Sequence, residues 1–357
     1  MLAQIRQVRL PDRPFHTSVS GDGRRYVACS PEGRCRLFNE DLRQLDEIDL
    51  GAGVEWVQLD ECGAMLLVGF SSHIDGFTAS PNVSHSFKLA VSGTSFQSCV
   101  FRSDEQVLLI ASLGDEPVIS AWDLKAGAVI VAHALPYRDC AGYCLVPHPE
   151  GEAVAAVAYS GQSEEWMFWA HYSKGHLRVF ERPGIEGVRF PVFHPTGREI
   201  VSSHESLGLC RGRFPEGDVI ASVTSEEAFP DNPDDVFSND IHFTGDDRFL
   251  VWQDGLALYE FDLTTLRPMC TILAGVEGMT FGEGRFFSGP SWRLADDRLL
   301  TTDCLHDARF RNRTDTLRLW DASSVFAPVS PPDPARPYTK RLLAGDASGS
   351  RDGEVAT

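Results

Sequence analysis

The sequence predicts an all-β fold, and three observations carry that prediction. A short apolar segment, a Gly/Asp turn and a second apolar segment recur seven times: VSGDGRRYV from Val19, LDECGAMLL from Leu59, FRSDEQVLL from Phe101, VPHPEGEAV from Val146, FHPTGREIV from Phe193, FTGDDRFLV from Phe243 and WRLADDRLL from Trp292. Gly and Asp supply turn conformations and the flanks suit a pleated sheet, so each copy reads as an antiparallel hairpin. The turn residues Gly23, Gly63, Glu105, Gly151, Gly197, Asp247 and Asp297 are spaced by 40, 42, 46, 46, 50 and 50. A period of ~40–50 residues with several strands per unit is the signature of a propeller, here of seven blades. Finally, 357 residues exceed the usual single core, a limit that repeats escape because each unit buries its face on its neighbours.

Taken in order, Gln4 to Leu10 (QIRQVRL) alternates apolar and polar residues ahead of the first hairpin and reads as a lone strand. Pairing with the last blade would close a propeller and remove an open edge. Units two and three run from about Gln44 to Pro136 with few insertions. In unit four, the aromatic run Trp166, Phe168, Trp169 and Tyr172 is expected on the third strand, Trp166 to His171, with Leu177 to Glu181 as the fourth. That run is a core feature if the strand is covered on both sides, and an interface anchor if it is exposed. After unit five, Thr224 to Asp240 carries six carboxylates, two prolines and no basic residue, which predicts an exposed loop. Unit seven carries the opposite insertion, Asp303 to Asp315, with Arg309, Arg311 and Arg313 at alternate positions. Its register competes with a second turn at Gly284 within MTFGEGRFF. The blades thus span 1–327. Residues 328–357 are Pro-rich and then Gly/Ser-rich, the composition of a disordered tail, with only Thr339 to Leu343 able to pair with a sheet edge.

Four units share a strand ending that can be compared with a known pattern: EGRCRLFN to Asn39, DEPVISAWD to Asp123, DGLALYEFD to Asp262 and TDTLRLWD to Asp321. An acidic residue, alternating apolar positions and a closing Trp-Asp or Phe-Asp/Asn resemble the third strand of WD40 repeats. The Gly-His pair usual before each first strand of that family is missing, so the resemblance is to a divergent member. It implies protein scaffolding, a warrant from fold alone.

Charge and motifs narrow the function classes. A net charge of -19 opposes a nucleic-acid partner, which requires a basic surface, and favours a basic one. No stretch of ~18 apolar residues suggests a membrane partner, and the start lacks a secretory pattern, so the expected location is cytoplasmic. Nine cysteines without paired spacing read as reduced, mostly buried thiols, and the Asn-X-Ser/Thr matches at Asn82 and Asn312 as accidental. Nucleotide-binding and nucleophile-elbow motifs are absent, and Cys140 with Cys144 lacks a second pair, so no cofactor or metal is expected.

Two function classes remain. The first is a non-enzymatic adaptor. Glu226, Glu227, Asp231, Asp234 and Asp235, set around Phe229 and Phe237, would receive a basic protein segment. Arg309, Arg311 and Arg313 would dock on that loop or on an acidic partner. The alternative is a hydrolase, lyase or metal-dependent propeller enzyme. There His73 with Asp75, His204 with Glu205, Asp254, and Asp303 with His306 would sit on loops after the second strands, at one axial mouth.

Overall fold

The computed structural model describes residues 2–11, 16–79, 83–90, 95–102, 107–113, 117–135, 142–151, 153–159, 165–180, 188–204, 208–230, 237–253, 257–274, 284–287, 292–306 and 314–326. Strands dominate these residues, with one short α-helix and one 3-10 turn between them. β1 is Ala3–Arg9. The first sheet holds β2 (His16–Val19), β3 (Arg25–Cys29), β4 (Arg34–Asn39) and β5 (Gln44–Asp49). The second holds β6 (Val54–Leu59), β7 (Met65–Phe70), β8 (His73–Thr78) and β9 (Ser84–Ala90). The third holds β10 (Ser95–Arg102), β11 (Val107–Leu113), β12 (Val118–Asp123) and β13 (Ala128–Ala134). The fourth comprises β14 (Gly142–Pro147), β15 (Ala153–Tyr159), β16 (Glu165–Ser173) and β17 (His176–Phe180), and the fifth β18 (Val188–Phe193), β19 (Glu199–His204), β20 (Gly208–Arg213) and β21 (Val219–Val223). After helix α1 (Ser225–Ala228) the sixth contains β22 (Phe237–Phe243), β23 (Arg248–Gln253), β24 (Ala257–Asp262) and β25 (Pro268–Ala274). A last, five-stranded sheet combines β26 (Gly284–Phe287), β27 (Trp292–Leu294), β28 (Arg298–His306) and β29 (Thr314–Asp321) with β1.

All seven expected hairpins pair as the first two strands of their sheets, the last through β27 and β28. The glycines anchoring four of these turns, Gly23, Gly63, Gly151 and Gly197, have φ between 66° and 79°, a left-handed region that other residues enter at a cost. Gly23 is doubly constrained, because a Cβ there would stand 2.5 Å from the Ala295 backbone nitrogen. In the seventh turn no glycine is present and Asp296 and Asp297 themselves adopt positive φ, 59° and 53°. Gly284 is no competing turn: it opens strand β26, which pairs with the far half of β28.

β1 pairs antiparallel with β29, Ala3 opposite Asp321 and Arg9 opposite Thr316. The guanidinium of the buried Arg318 donates to the side-chain oxygens of Gln4 and Gln7 at 2.6 and 3.1 Å, tying the two strands by side chains as well. Thr339 to Leu343, the competing edge strand, and the rest of 328–357 lie outside the described residues.

Packing divides the chain into two compact units, one built on Met1–Ser92, Trp252–Tyr259 and Thr271–Ala327, the other on Gly93–Val251 and Glu260–Cys270. In the first unit, Val27, Leu37, Val57, Leu66, Val68 and Phe77 form one core cluster and Leu10, Tyr26, Phe38, Leu300, Leu317 and Leu319 another. The second unit buries Val100, Ile119, Leu145, Phe168, Tyr172 and Leu177 together. Within each unit the first strands of consecutive sheets lie side by side: β2 with β6 in the first, β10 with β14, β14 with β18 and β18 with β22 in the second. Exposed apolar side chains gather on fourth strands, at Leu45, Val129, Ile130, Val219, Ile220 and Met269, where one face of an outer strand meets solvent.

The third and fourth strands expected in unit four are β16 and β17. Phe168, Trp169 and Tyr172 are buried, so this part of the aromatic run is core and not an exposed anchor. The indole of Trp169 meets Phe214 edge-on at 4.7 Å and Phe193 at 5.9 Å, joining the fourth and fifth sheets.

Candidate functional site

Connections alternate between the two ends of an antiparallel sheet. The turns between first and second strands share one end with those between third and fourth. The second-to-third turns and the sheet-to-sheet connections emerge at the other.

At the first end, consecutive turns are hydrogen-bonded to one another. Ala295 N donates to Gly23 O, and Asp22 N to Glu61 O, which links the last, first and second sheets. In the second unit the link is made by imidazoles. His148 directly follows β14, and its Nε2 contacts Gly197 O at 2.9 Å while its Nδ1 accepts from Glu150 N at 3.1 Å. His194 directly follows β18 and repeats the arrangement, with Nε2 to Asp246 O at 3.0 Å and Nδ1 accepting from Thr196 N at 3.2 Å. A carbonyl accepts and an amide N–H donates, so each ring is neutral, with its proton on Nε2. Burial pushes both imidazoles below their ordinary pKa, against the opposing pull of the carbonyl hydrogen bonds.

At the other end stands the acidic connection between β21 and β22. The expected exposed loop, Thr224 to Asp240, is shorter than the sequence suggests, because Ser225–Ala228 is helical and β22 begins at Phe237. Thr224 caps the helix, its Oγ1 accepting from Glu227 N at 3.2 Å while the Glu227 carboxylate accepts from Thr224 N at 3.0 Å. Glu227 is therefore partly occupied by its own backbone, and its carbonyl also accepts from the Arg267 guanidinium. Phe229 is no free anchor: it packs edge-on to the buried Phe261, centroids 6.0 Å apart. Glu226 is exposed. Asp231, Asp234 and Asp235 lie outside the described residues, as do Arg309, Arg311 and Arg313.

The histidine and carboxylate set is placed differently from the expectation of loops. His73 and Asp75 are in strand β8, His204 ends β19, and Asp303 and His306 belong to β28, because hairpin pairing extends further than the turn signals suggest. Glu205 and Asp254 lie outside the described residues. Of these side chains the structure brings together His73 and Asp75, Nε2 to Oδ2 at 3.5 Å, and adds a residue the sequence reading missed, His85, whose Nε2 is 3.5 Å from Asp75 Oδ1. Its signal was cross-strand: His85 faces Phe77, two residues beyond Asp75, in the β8–β9 register. Among the described residues no group of three His, Cys, Asp or Glu side chains is placed so that it could hold a metal ion.

The cysteine reading is corrected in part. Cys29 and Cys35, directly opposite on β3 and β4, are joined in a disulfide, and Cys62 and Cys270 are exposed. Cys210 is buried, and burial pushes its thiol up to about 12, so it stays protonated and unreactive. No helix is long and apolar enough to cross a membrane among the described residues. Comparison with protein-family models and with curated proteins finds no match to this chain.

Proposed function

We propose that the chain is a seven-bladed, WD40-like propeller acting as a non-enzymatic interaction module, in the cytoplasm, that offers an acidic surface to a basic segment of a protein partner. The observation that carries this reading is the difference between the two ends of the sheets. Turns at one end are linked sheet to sheet by backbone and imidazole hydrogen bonds. The sheet-to-sheet connections emerge at the other, and the acidic connection there follows a capped helix with Glu226 in its exposed first turn. A rigid scaffold carrying variable connections is the arrangement on which binding residues are commonly found. A net charge of -19 gives such a surface long-range attraction for cations.

Replacing Glu226, Glu227, Asp231, Asp234 and Asp235 by their amides tests the reading, since Glu227→Gln preserves the capping box. Capture of the basic partner should fall at least tenfold at low salt with the melting temperature unchanged. Raising salt should weaken the parent in the same way, within a screening length of ~8–10 Å. Capture that ignores both changes places the binding surface elsewhere.

A further inference from the structure

We propose that the outer strand β13, with the turn leading into β17, is a docking surface for an acidic, extended segment of a partner protein, which adds to the open edge of β13 as a further strand. Among the described residues β13 pairs with β12 alone, so one row of its backbone N–H and C=O groups faces no strand of its own sheet. Outer strands are ordinarily blunted by charge or proline. Here β5 carries three acidic residues, β9 Lys88, β17 Arg178 and β1 two arginines, and β25 opens on Pro268. β13 (AVIVAHA) has no Asp, Glu, Lys, Arg or Pro over seven residues, and its Val129 and Ile130 are exposed. β21 (VIASV) is also uncharged, but at five residues it is shorter, and Asp218 directly precedes it.

The occupant follows from charge. The chain holds 51 acidic against 32 basic residues, yet 124–135 and 173–180 hold Lys125, Lys174 and Arg178 and no acid. These stretches are β13 and β17 with the turns leading into them, and both turns are third-to-fourth connections at the same end of their sheets. Packing brings them together: β13 lies beside β17, and a Cβ on Gly175 would stand 3.8 Å from Ile130 Cγ2. His176 and Arg178 alternate with the buried Leu177, which turns both outward. None of Lys125, Lys174 and Arg178 has an ion-pair partner among the described residues. Asp123, the acid next to β13 in sequence, is occupied by the backbone N–H groups of Lys125 and Ala126 at 2.8 and 2.9 Å. Unpaired cations thus surround an apolar strand edge. The net charge of -19 is screened beyond ~8–10 Å at physiological salt, so at contact the local cations decide. An anionic lipid surface meets the same charges but offers nothing to the open backbone, whereas a peptide strand pairs with it.

The test uses the full chain and a fluorescein-labelled peptide of four Glu-Val repeats, followed by anisotropy. Binding should saturate, and Lys125→Glu with Arg178→Glu, both exposed, should weaken it by about tenfold or more while melting like the parent. Glu226→Gln should leave it unchanged, which separates this surface from the acidic one. Strand addition uses alternate peptide amides only, because successive N–H groups along a strand point to opposite edges. N-methylation of every Glu amide and of every Val amide should therefore differ, one abolishing binding and the other largely preserving it. No saturable binding, binding undiminished by the charge reversals, a loss with Glu226→Gln, or equal effects of the two methylations would each overturn the proposal. So would phosphatidylserine vesicles that bind the parent in the peptide's place, or self-association that the charge reversals abolish, since either names another occupant.

Discussion

His148 and His194 hold the same place in consecutive sheets, and both work only as neutral rings, since a proton on Nδ1 would set two N–H groups against each other. The groups around them are Glu150 for His148 and Glu199, Asp246 and Arg211 for His194. Their folded pKa values lie below the unfolded value of ~6.5, so the unfolded chain binds more protons just below that pH. The contribution is therefore complete above ~6.5 and is lost as pH falls through the window beneath it. Denaturant titrations at pH 7.5 and 5.0 should show lower stability at the acid value, with a smaller difference after His148→Asn and His194→Asn together. An equal difference in parent and double variant would remove the role assigned to the rings. The turns around these histidines were legible in the sequence through Gly151 and Gly197. The imidazole links were not, because their acceptors, Gly197 and Asp246, lie one repeat further on.

At the scale of elements, β1 joins the last sheet through residues that lie more than 300 positions apart. Its removal with Leu10 should be costly: Leu10 is buried in the cluster with Leu317 and Leu319, and a fully buried leucine is worth about 1.5–3 kcal/mol. The β29 backbone groups would also lose their partners along an open edge. Deleting residues 1–10 should therefore lower stability by at least about 3 kcal/mol and promote association of the exposed edge. Melting and light scattering identical to the parent would contradict this. Alternation in QIRQVRL was enough to predict the strand, because period two needs no tertiary information. The acidic connection was read less well. Its charge suggested a continuous loop, but Thr224 and Glu227 satisfy the first helical turn locally, and β22 starts at Phe237 despite Asp240. His73 and Asp75 were likewise assigned to a loop that pairing absorbs into β8, and His85 was missed because only strand register places it beside Asp75.

For the molecule as a whole, charge sets a stability term that no single contact reveals. A formal net charge of -19 makes the compact state repel itself, and added salt relieves that repulsion. Salt also weakens ion pairs, but Arg211 with Glu199 at 2.7 Å is largely sheltered, and sheltered pairs are screened less than exposed like charges. Relief of repulsion should win, so the melting temperature should rise by a few degrees between about 20 and 300 mM NaCl. A fall over that range would mean that attractive pairs dominate. The seven-fold repetition behind the strand pattern was visible in turn spacing alone, because each unit solves the same local problem with a hairpin. The pairing of β1 with β29 has one more consequence, in the order of biosynthesis. About 300 residues leave the ribosome after Arg9 before its partner Thr316 appears, which at ~5–20 residues per second is roughly 15–60 s. Throughout that interval β1 has no β29 to pair with, and the sheet it completes is assembled only once Thr316 and its neighbours have emerged.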